Sequence, residues 1–420
     1  MKKTPRDRTP RLKPVKQIEL SEKNIKIRWI LIAVLLIIAL VAFGIGIHAF
    51  FSTEPGWQQV TVSEKAPNCS YDFVLMYDFT DYGGSASAVN RKITAMYTEQ
   101  TQKAYQLFST DDVETKLHNL YYLNNHLNET VQIDPVLYDA LALIVEYNSR
   151  YPYLAPVYTE YDRIFISDND LDASLYDPAY NPELAAYIAE AAAFANDPQM
   201  IQLQILGDNK VRLEVSREYL DFIEENGIET VFDFGWMRNA FVADYIADSL
   251  RAEGFTHGYI ASYDGFTRNL DERGKPFSFN LFHRQGQDIL IPAKIDYDRP
   301  MSIVFLRNYP MGESDRWHYY AYADGSIAST YLAPTDGKSK SATENMVAYS
   351  QNLGCAEVLL RMAPLYINDT MDMQMISALE QDQIYTIWYE GTNLHYNDPK
   401  LSPALLPVEQ GYSYTLAPEK

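Results

Sequence analysis

Asp168, Asp170 and Asp172 stand two residues apart, the spacing with which a calcium-binding loop begins. Such a loop needs a glycine at its sixth position for the sharp turn and a bidentate glutamate at its twelfth. Here those positions are Ala173 and Ala179, so the run is expected to be a solvated acidic loop. The seven histidines are scattered without metal-ligand spacing. No H-E-x-x-H pair, phosphate-binding G-x-x-x-x-G-K-[ST] loop or G-x-S-x-G elbow occurs, and Gly44 and Gly46 fall inside an apolar run. Two cysteines, Cys69 and Cys355, exclude a multi-cysteine zinc or iron–sulfur site; in an oxidising compartment they are candidates to pair with each other. Asn68, Asn128 and Asn368 each begin N-x-[ST], which matters only in a glycosylating host. Thirty-three tyrosines would suit a carbohydrate- or wall-binding surface, although filling strands and protein contacts is the simpler use of aromatics.

What must position these residues is a chain of 420 residues, 47% hydrophobic, with a formal charge of −21. A large core is therefore available and wholesale disorder is excluded. The acidic balance argues against nucleic acid as a partner, because phosphate binding needs basic patches. Charge is unevenly placed. Residues 1–28 hold ten Lys/Arg against Asp7, Glu19 and Glu22, and read as a cytoplasmic basic tail. Residues 29–51, WILIAVLLIIALVAFGIGIHAFF, contain no Asp, Glu, Lys or Arg. As a helix they would rise roughly 34 Å, enough to cross a bilayer core of about 30 Å. The run is too long for a signal-peptide core and lacks a small-residue cleavage site. An uncleaved single-pass anchor is expected, with residues 52–420 outside the cell membrane by the positive-inside rule.

Residues 52–70 read as a stalk. From Tyr71 the pattern is globular: a strand in YDFVLMYDF, then helical spacing over residues 88–108. Asp134-Pro135 opens a helix with a good cap and a first-turn proline. Residues 151–180 look irregular, and residues 182–195 helical. Residues 201–205 and 211–215 flank Gly207-Asp208-Asn209 as a hairpin. Residues 230–234 read as a strand and 236–253 as a helix ended by Gly254. Further strands are expected at 257–263, 277–282 and 302–306, a turn into a helix over 346–364, and a closing hairpin around Gly391-Thr392. Helices set between groups of antiparallel strands indicate an α+β fold.

One stretch goes beyond generic patterning. VFDFGWMRNAFVADYIADSLRAEG, residues 231–254, resembles the ApbE-type FAD:protein FMN transferase segment D-L-G-G-I-A-K-G-Y-A-V-D followed by a helix, with Asp233, Gly235 and Asp244 in register. Other pieces follow in the family's order: LFSTDD at 107–112, VQIDPVLYDALALIVEYNSRYPY at 131–153, ERGKPFSFNLF at 272–282, LAPTDGKSK at 332–340, and the turn and helix of 346–364. The resemblance spans residues 71–396, leaving 397–420 as a C-terminal tail. It implies an ApbE-like, T-fold-type extracytoplasmic domain behind the single N-terminal transmembrane helix. It further implies FAD and Mg²⁺ as cofactors, attachment of FMN through phosphate to a Ser/Thr of an acceptor protein, and Asp233, Gly235, Asp244, Asp264 and Gly265 as cofactor-binding positions.

The departures from that pattern bear on activity. The family's motif lysine is Asn239 here, followed by Ala240; the second glycine of its "LGG" is Trp236, whose indole is expected to fill space a cofactor would use. Its "GGD" turn aligns with Tyr263-Asp264-Gly265. Its histidine and aspartate in "HI.DP.tG" become Thr330 and Ala333, its metal-binding Asp and Thr become Cys355 and Leu359, and the glycine and Asp of "GaFD" become Tyr151 and Leu154. Glu357, Asp336 and Asp264 are the candidate substitute carboxylates. One lost preorganised contact costs about 10²–10³ in rate. The resulting expectation is a degenerate member that binds an extracytoplasmic partner, with or without a flavin. The alternatives are an active Mg-dependent transferase with a rearranged site, and an envelope binding module unrelated to flavin.

Overall fold

The computed structural model describes residues 55–419 apart from 65, 67, 68, 70, 71, 114, 313, 314, 409 and 410. The basic tail and the apolar run of residues 29–51 lie outside the described residues. Among the described residues, no helix is long and apolar enough to cross a membrane.

The strands in chain order are β1 (Trp57–Val60), β2 (Phe73–Asp78), β3 (Val131–Gln132), β4 (Ile201–Gly207), β5 (Lys210–Val215), β6 (Gly258–Ser262), β7 (Phe266–Asn269), β8 (Phe277–Gln285), β9 (Asp288–Tyr297), β10 (Met301–Arg307), β11 (Tyr319–Ala321), β12 (Ile327–Ser329), β13 (Asn345–Ser350), β14 (Tyr385–Glu390), β15 (Asn393–Tyr396), β16 (Ala404–Leu405) and β17 (Thr415–Pro418). The helices are α1 (Ala86–Leu107), α2 (Leu120–Asn124), α3 (Pro135–Glu146), α4 (Ala155–Phe165), α5 (Asp170–Tyr176), α6 (Pro182–Asn196), α7 (Arg217–Asn226), α8 (Arg238–Ala252), α9 (Cys355–Tyr366) and α10 (Met373–Gln381).

A nine-stranded sheet, in the order β1-β2-β6-β7-β10-β13-β14-β15-β17, organises the molecule. Its pairings are antiparallel except the last, where β17 runs parallel to β15. Every residue of β10 is buried, and alternation sends its side chains to two separate cores. Val304 and Leu306 join the larger core under α1, α8 and α9; Met301, Ile303 and Phe305 join a smaller one beneath the β16-β9-β8 sheet. A third sheet, β3-β5-β4, and the β11-β12 hairpin complete the fold.

Several local readings of the sequence agree with the structure. Asp134 caps α3 by accepting from the Val136 N–H at 2.9 Å. Asp208 and Asn209 adopt positive φ in the β4-β5 turn, as a tight hairpin requires. Other readings do not. Residues 151–180 are not irregular: they form a 3₁₀ turn (Tyr151–Leu154) followed by α4 and α5. Residues 230–234 are not a strand. Their backbone is held by one side chain instead: Asn124 Oδ1 accepts from Val231 N and Phe232 N, and Asn124 Nδ2 donates to Phe232 O. Trp57–Val60 and Thr415–Pro418, in the segments read as stalk and tail, supply the sheet's two edge strands.

Candidate functional site

Asn124 delivers the chain, extended, to Asp233, whose N–H donates to the Pro152 carbonyl at 2.8 Å. Gly235 turns at φ +51°, and a 3₁₀ turn (Gly235–Met237) leads directly into α8. This places Trp236, 6% exposed, among tyrosines from three other segments. Its indole N–H donates to the Tyr158 hydroxyl at 3.1 Å. Its ring meets Tyr331 edge-on at 5.0 Å and Tyr151 at 5.9 Å. Tyr331 continues the cluster to Tyr366 at 5.2 Å and to Tyr319, whose hydroxyl donates to the Arg307 carbonyl. Arg307 and Asp315 form a buried ion pair at 2.7 Å beneath it. Burial pushes the phenols of Tyr151, Tyr158, Tyr319, Tyr331 and Tyr366 upward, so all are neutral at physiological pH.

The five cofactor-binding positions expected from the sequence have separate surroundings. Asp233 is partly buried; burial raises its pKa against the pull of the Gly235 N–H and Arg238, and Asp162, pushed up to about 6 by its own burial, feels its charge. Gly235 packs its Cα beside the Tyr158 ring. Asp244 faces the start of α9: Oδ1 accepts from Cys355 N and Oδ2 from Ala356 N, both at 2.8 Å. Arg268 Nε stands 3.1 Å from the same carboxylate. Burial pushes Asp244 up to about 6, opposed by Arg268 and those two N–H groups. Asp244 also borders a cleft of about 400 Å³, otherwise lined by Phe108, Leu143, Phe241 and Tyr245 among others. Asp264 accepts from Asn239 Nδ2 at 2.9 Å, and burial raises its pKa against Ser262, His318 and Asn239. Gly265, at φ +115°, lies so close to the Phe305 carbonyl that no Cβ fits.

The remaining positions singled out by the resemblance, and the candidate substitute carboxylates, are engaged within the protein. Cys355 is fully buried, its thiol directed at the Thr267 carbonyl at 3.3 Å, and Leu359 is fully buried in the larger core. Glu357 accepts from the Gly354 N–H and the Tyr147 hydroxyl, and Asp336 pairs with Lys340 at 2.9 Å. Among the described residues, no group of three or more His, Cys, Asp or Glu is arranged to hold a metal. Mg²⁺ asks for carboxylate or phosphate oxygens in near-octahedral array, and this donor set does not fit it. Asn239 itself lines a cleft of about 260 Å³ with Cys69, Asp72, Tyr105 and Arg238. That is below the roughly 300–1,000 Å³ common for small-molecule sites, and far short of a dinucleotide.

Cys69 and Cys355, the two candidates to pair, are not bridged. Both thiols are free and buried, because Cys69 packs against the Thr98 carbonyl of α1 while Cys355 opens α9 on the β7 side. Of this aromatic cluster, Trp236 and Tyr151 stand out in the sequence as bulky departures from the motif, whereas Tyr158 and Tyr331 do not. The Tyr151, Tyr153, Tyr158, Tyr161 spacing was the available signal, lost because that segment read as irregular.

No family model and no curated protein matches the sequence. Solved structures do. The ApbE protein from Thermotoga maritima superimposes with a TM-score of 0.53 at 13% identity, covering 79% of this chain and 94% of the other. The flavin transferase ApbE from Vibrio cholerae gives 0.51 at 11% identity, covering 83% and 97%. This chain has the ApbE fold. The mixed α+β architecture is shared with these ApbE structures at 11–13% sequence identity.

Proposed function

We propose that this protein is a degenerate ApbE-fold domain, tethered to the outer face of a membrane by residues 29–51, that binds a protein partner and does not transfer FMN. The observation that carries this reading is the buried Trp236–Tyr158–Tyr331–Tyr151 cluster, which sets packed aromatic carbon at Trp236 and Tyr151, where the resembled motifs have glycine. The charges at Asp244, Glu357 and Asp336 are engaged within the protein, and Asn239 has no charge to give.

A contact surface supports the partner reading. On α5, Leu171 is 80% and Leu175 60% exposed, one helical turn apart, with Ile166 and Tyr180 exposed beside them. Tyr320 and Ala323 N–H anchor Asp170, and Tyr322 anchors Asp177, so this crest is held firmly against the β11-β12 hairpin. Between Arg163 and Lys210 the chain has no Lys or Arg but has Asp168, Asp172, Glu183 and Glu190 among its acids. An apolar crest with an acidic surround suits a partner that brings apolar side chains flanked by basic ones.

The test is to incubate the full-length protein with FAD, Mg²⁺ and an FMN-accepting protein, and to read covalent flavin by in-gel fluorescence. No signal above the blank lacking this protein is expected. Robust flavinylation overturns the reading in favour of an active transferase with a rearranged site.

A further inference from the structure

The smaller core, on the sheet face away from the aromatic cluster, borders a cleft of about 420 Å³. Its apolar side is made by Tyr297 and Met301, both buried, and by the partly exposed Tyr385, whose ring lies 5.9 Å from that of Tyr349. Its rim carries planar amides. Asn352 Nδ2 donates to Gln383 Oε1, which leaves the second Asn352 N–H, the Asn352 oxygen and the Gln383 amide N–H groups for a ligand. Gln383 is held at φ +60°, a conformation uncommon for a residue with a side chain. On the far wall Asp398, 4% exposed, is fixed by the Tyr349 hydroxyl at 3.1 Å and the Lys400 N–H at 2.8 Å. A carboxylate has about four lone-pair sites, so acceptor capacity remains there.

The charges around this cleft are largely compensated from within. Asp296 pairs with Lys294 at 2.9 Å and Asp298 with Arg299 at 3.0 Å. A phosphate or nucleotide would meet three carboxylates, Asp296, Asp298 and Asp398, against two cations, Lys400 and the already paired Arg299, and the lining carboxylates do not converge on a cation. An apolar ligand would bury the rim amides without partners, at about 1–3 kcal/mol for each group. The chemistry that satisfies both halves is neutral, hydroxyl-rich and flat on one side. Vicinal hydroxyls match planar amide and carboxylate groups two bonds at a time, and the C–H face of a pyranose packs on a tyrosine ring.

We propose that the cleft between Tyr385, the Asn352–Gln383 amide pair and Asp398 is a binding site for a neutral oligosaccharide. It is independent of the flavin question, since it shares no residue with the Trp236 cluster.

The experiment uses the full-length protein in micelles of a detergent without a sugar head group. Chitotetraose, cellotetraose, maltotetraose and, as a peptide probe, tetra-alanine are titrated separately by calorimetry and by saturation-transfer NMR. At least one tetrasaccharide is expected to bind, and Asn352→Ala and Tyr385→Ala are each expected to weaken it about tenfold. Gln383→Ala gives the same loss at a surface position should Tyr385→Ala not fold. Arg217→Ala, at an exposed ion pair on α7, leaves binding unchanged. Absence of binding by every tetrasaccharide at about 5 mM overturns the proposal, as does parental affinity in the Asn352 and Gln383 variants, or tetra-alanine binding as well as the sugars.

Discussion

The indole N–H of Trp236 reaches the hydroxyl of Tyr158 across 3.1 Å, tying the turn before α8 to the first turn of α4. The same indole has Tyr331 on one edge and Tyr151 on another, so the cluster is a packing unit spanning four segments. Trp236→Gly, which places the glycine of the resembled motif at this position, is expected to cost about 3–5 kcal/mol by leaving a cavity and an unpaired hydroxyl. Urea denaturation measures that loss. FAD fluorescence should show no binding to the variant at micromolar ligand, because space returns without charge. Tight FAD binding would mean that the indole alone closes the site.

His283 provides the pH dependence. It is buried, stacked on Tyr389 at 4.2 Å, with Nδ1 2.9 Å from the Tyr414 hydroxyl. Burial, aided by the Arg284 charge, lowers its pKa to about 4. The unfolded chain takes up this proton near the ordinary value of about 6.5, and the folded chain only near 4. The contribution is therefore complete above pH 6.5 and is lost as pH falls toward 4, by up to about 3 kcal/mol. Denaturation curves across that window should show the loss in the parent, and His283→Gln should flatten it. Equal slopes in the two proteins would exclude His283 as its source.

Gly265 is required by close approach. Phe305 N donates to Gly265 O at 2.8 Å, and the Phe305 carbonyl occupies the space a Cβ would need at φ +115°. Gly265→Ala is expected to destabilise by roughly 2–5 kcal/mol, through strained backbone and a forced shift of β10. A melting temperature within a degree or two of the parent would show that the turn can relax.

The two cysteines should titrate as thiols. With disulfide-exchange reagent and no reductant, the native protein is expected to react slowly, since both sulfurs are buried. In denaturant the count should reach two at once. A count of zero would mean that the chain had been trapped as an oxidised form.

The fold was legible where one residue type fixes one geometry. Asp134 with Pro135 announced α3, Gly207-Asp208-Asn209 announced a hairpin, and the 231–254 register announced the turn into α8. It was illegible where the partner is distant in sequence. Residues 230–234 have strand-like composition, yet Asn124, over a hundred positions earlier, takes the backbone bonds a neighbouring strand would have made. Asp244 is similar. Its register with a cofactor-binding motif was visible, but its contact with the first N–H groups of α9 depends on how two helices pack. The tyrosines of residues 151–161 misled for a different reason. Tyrosine and proline are common in loops, and only the tertiary cluster makes helix the better conformation there.

A Cβ added to Gly354 would fall 2.8 Å from the Asp244 Cγ. This imposes an order on evolutionary drift. A smaller residue at 244 relieves the crowding and leaves glycine tolerated, so that step can come first. Any side chain at 354 arriving first would eject the carboxylate from the start of α9 and leave Arg268 with Asp248 as its remaining carboxylate partner. Lineages should therefore contain glycine at 354 without aspartate at 244, and should lack the reverse combination.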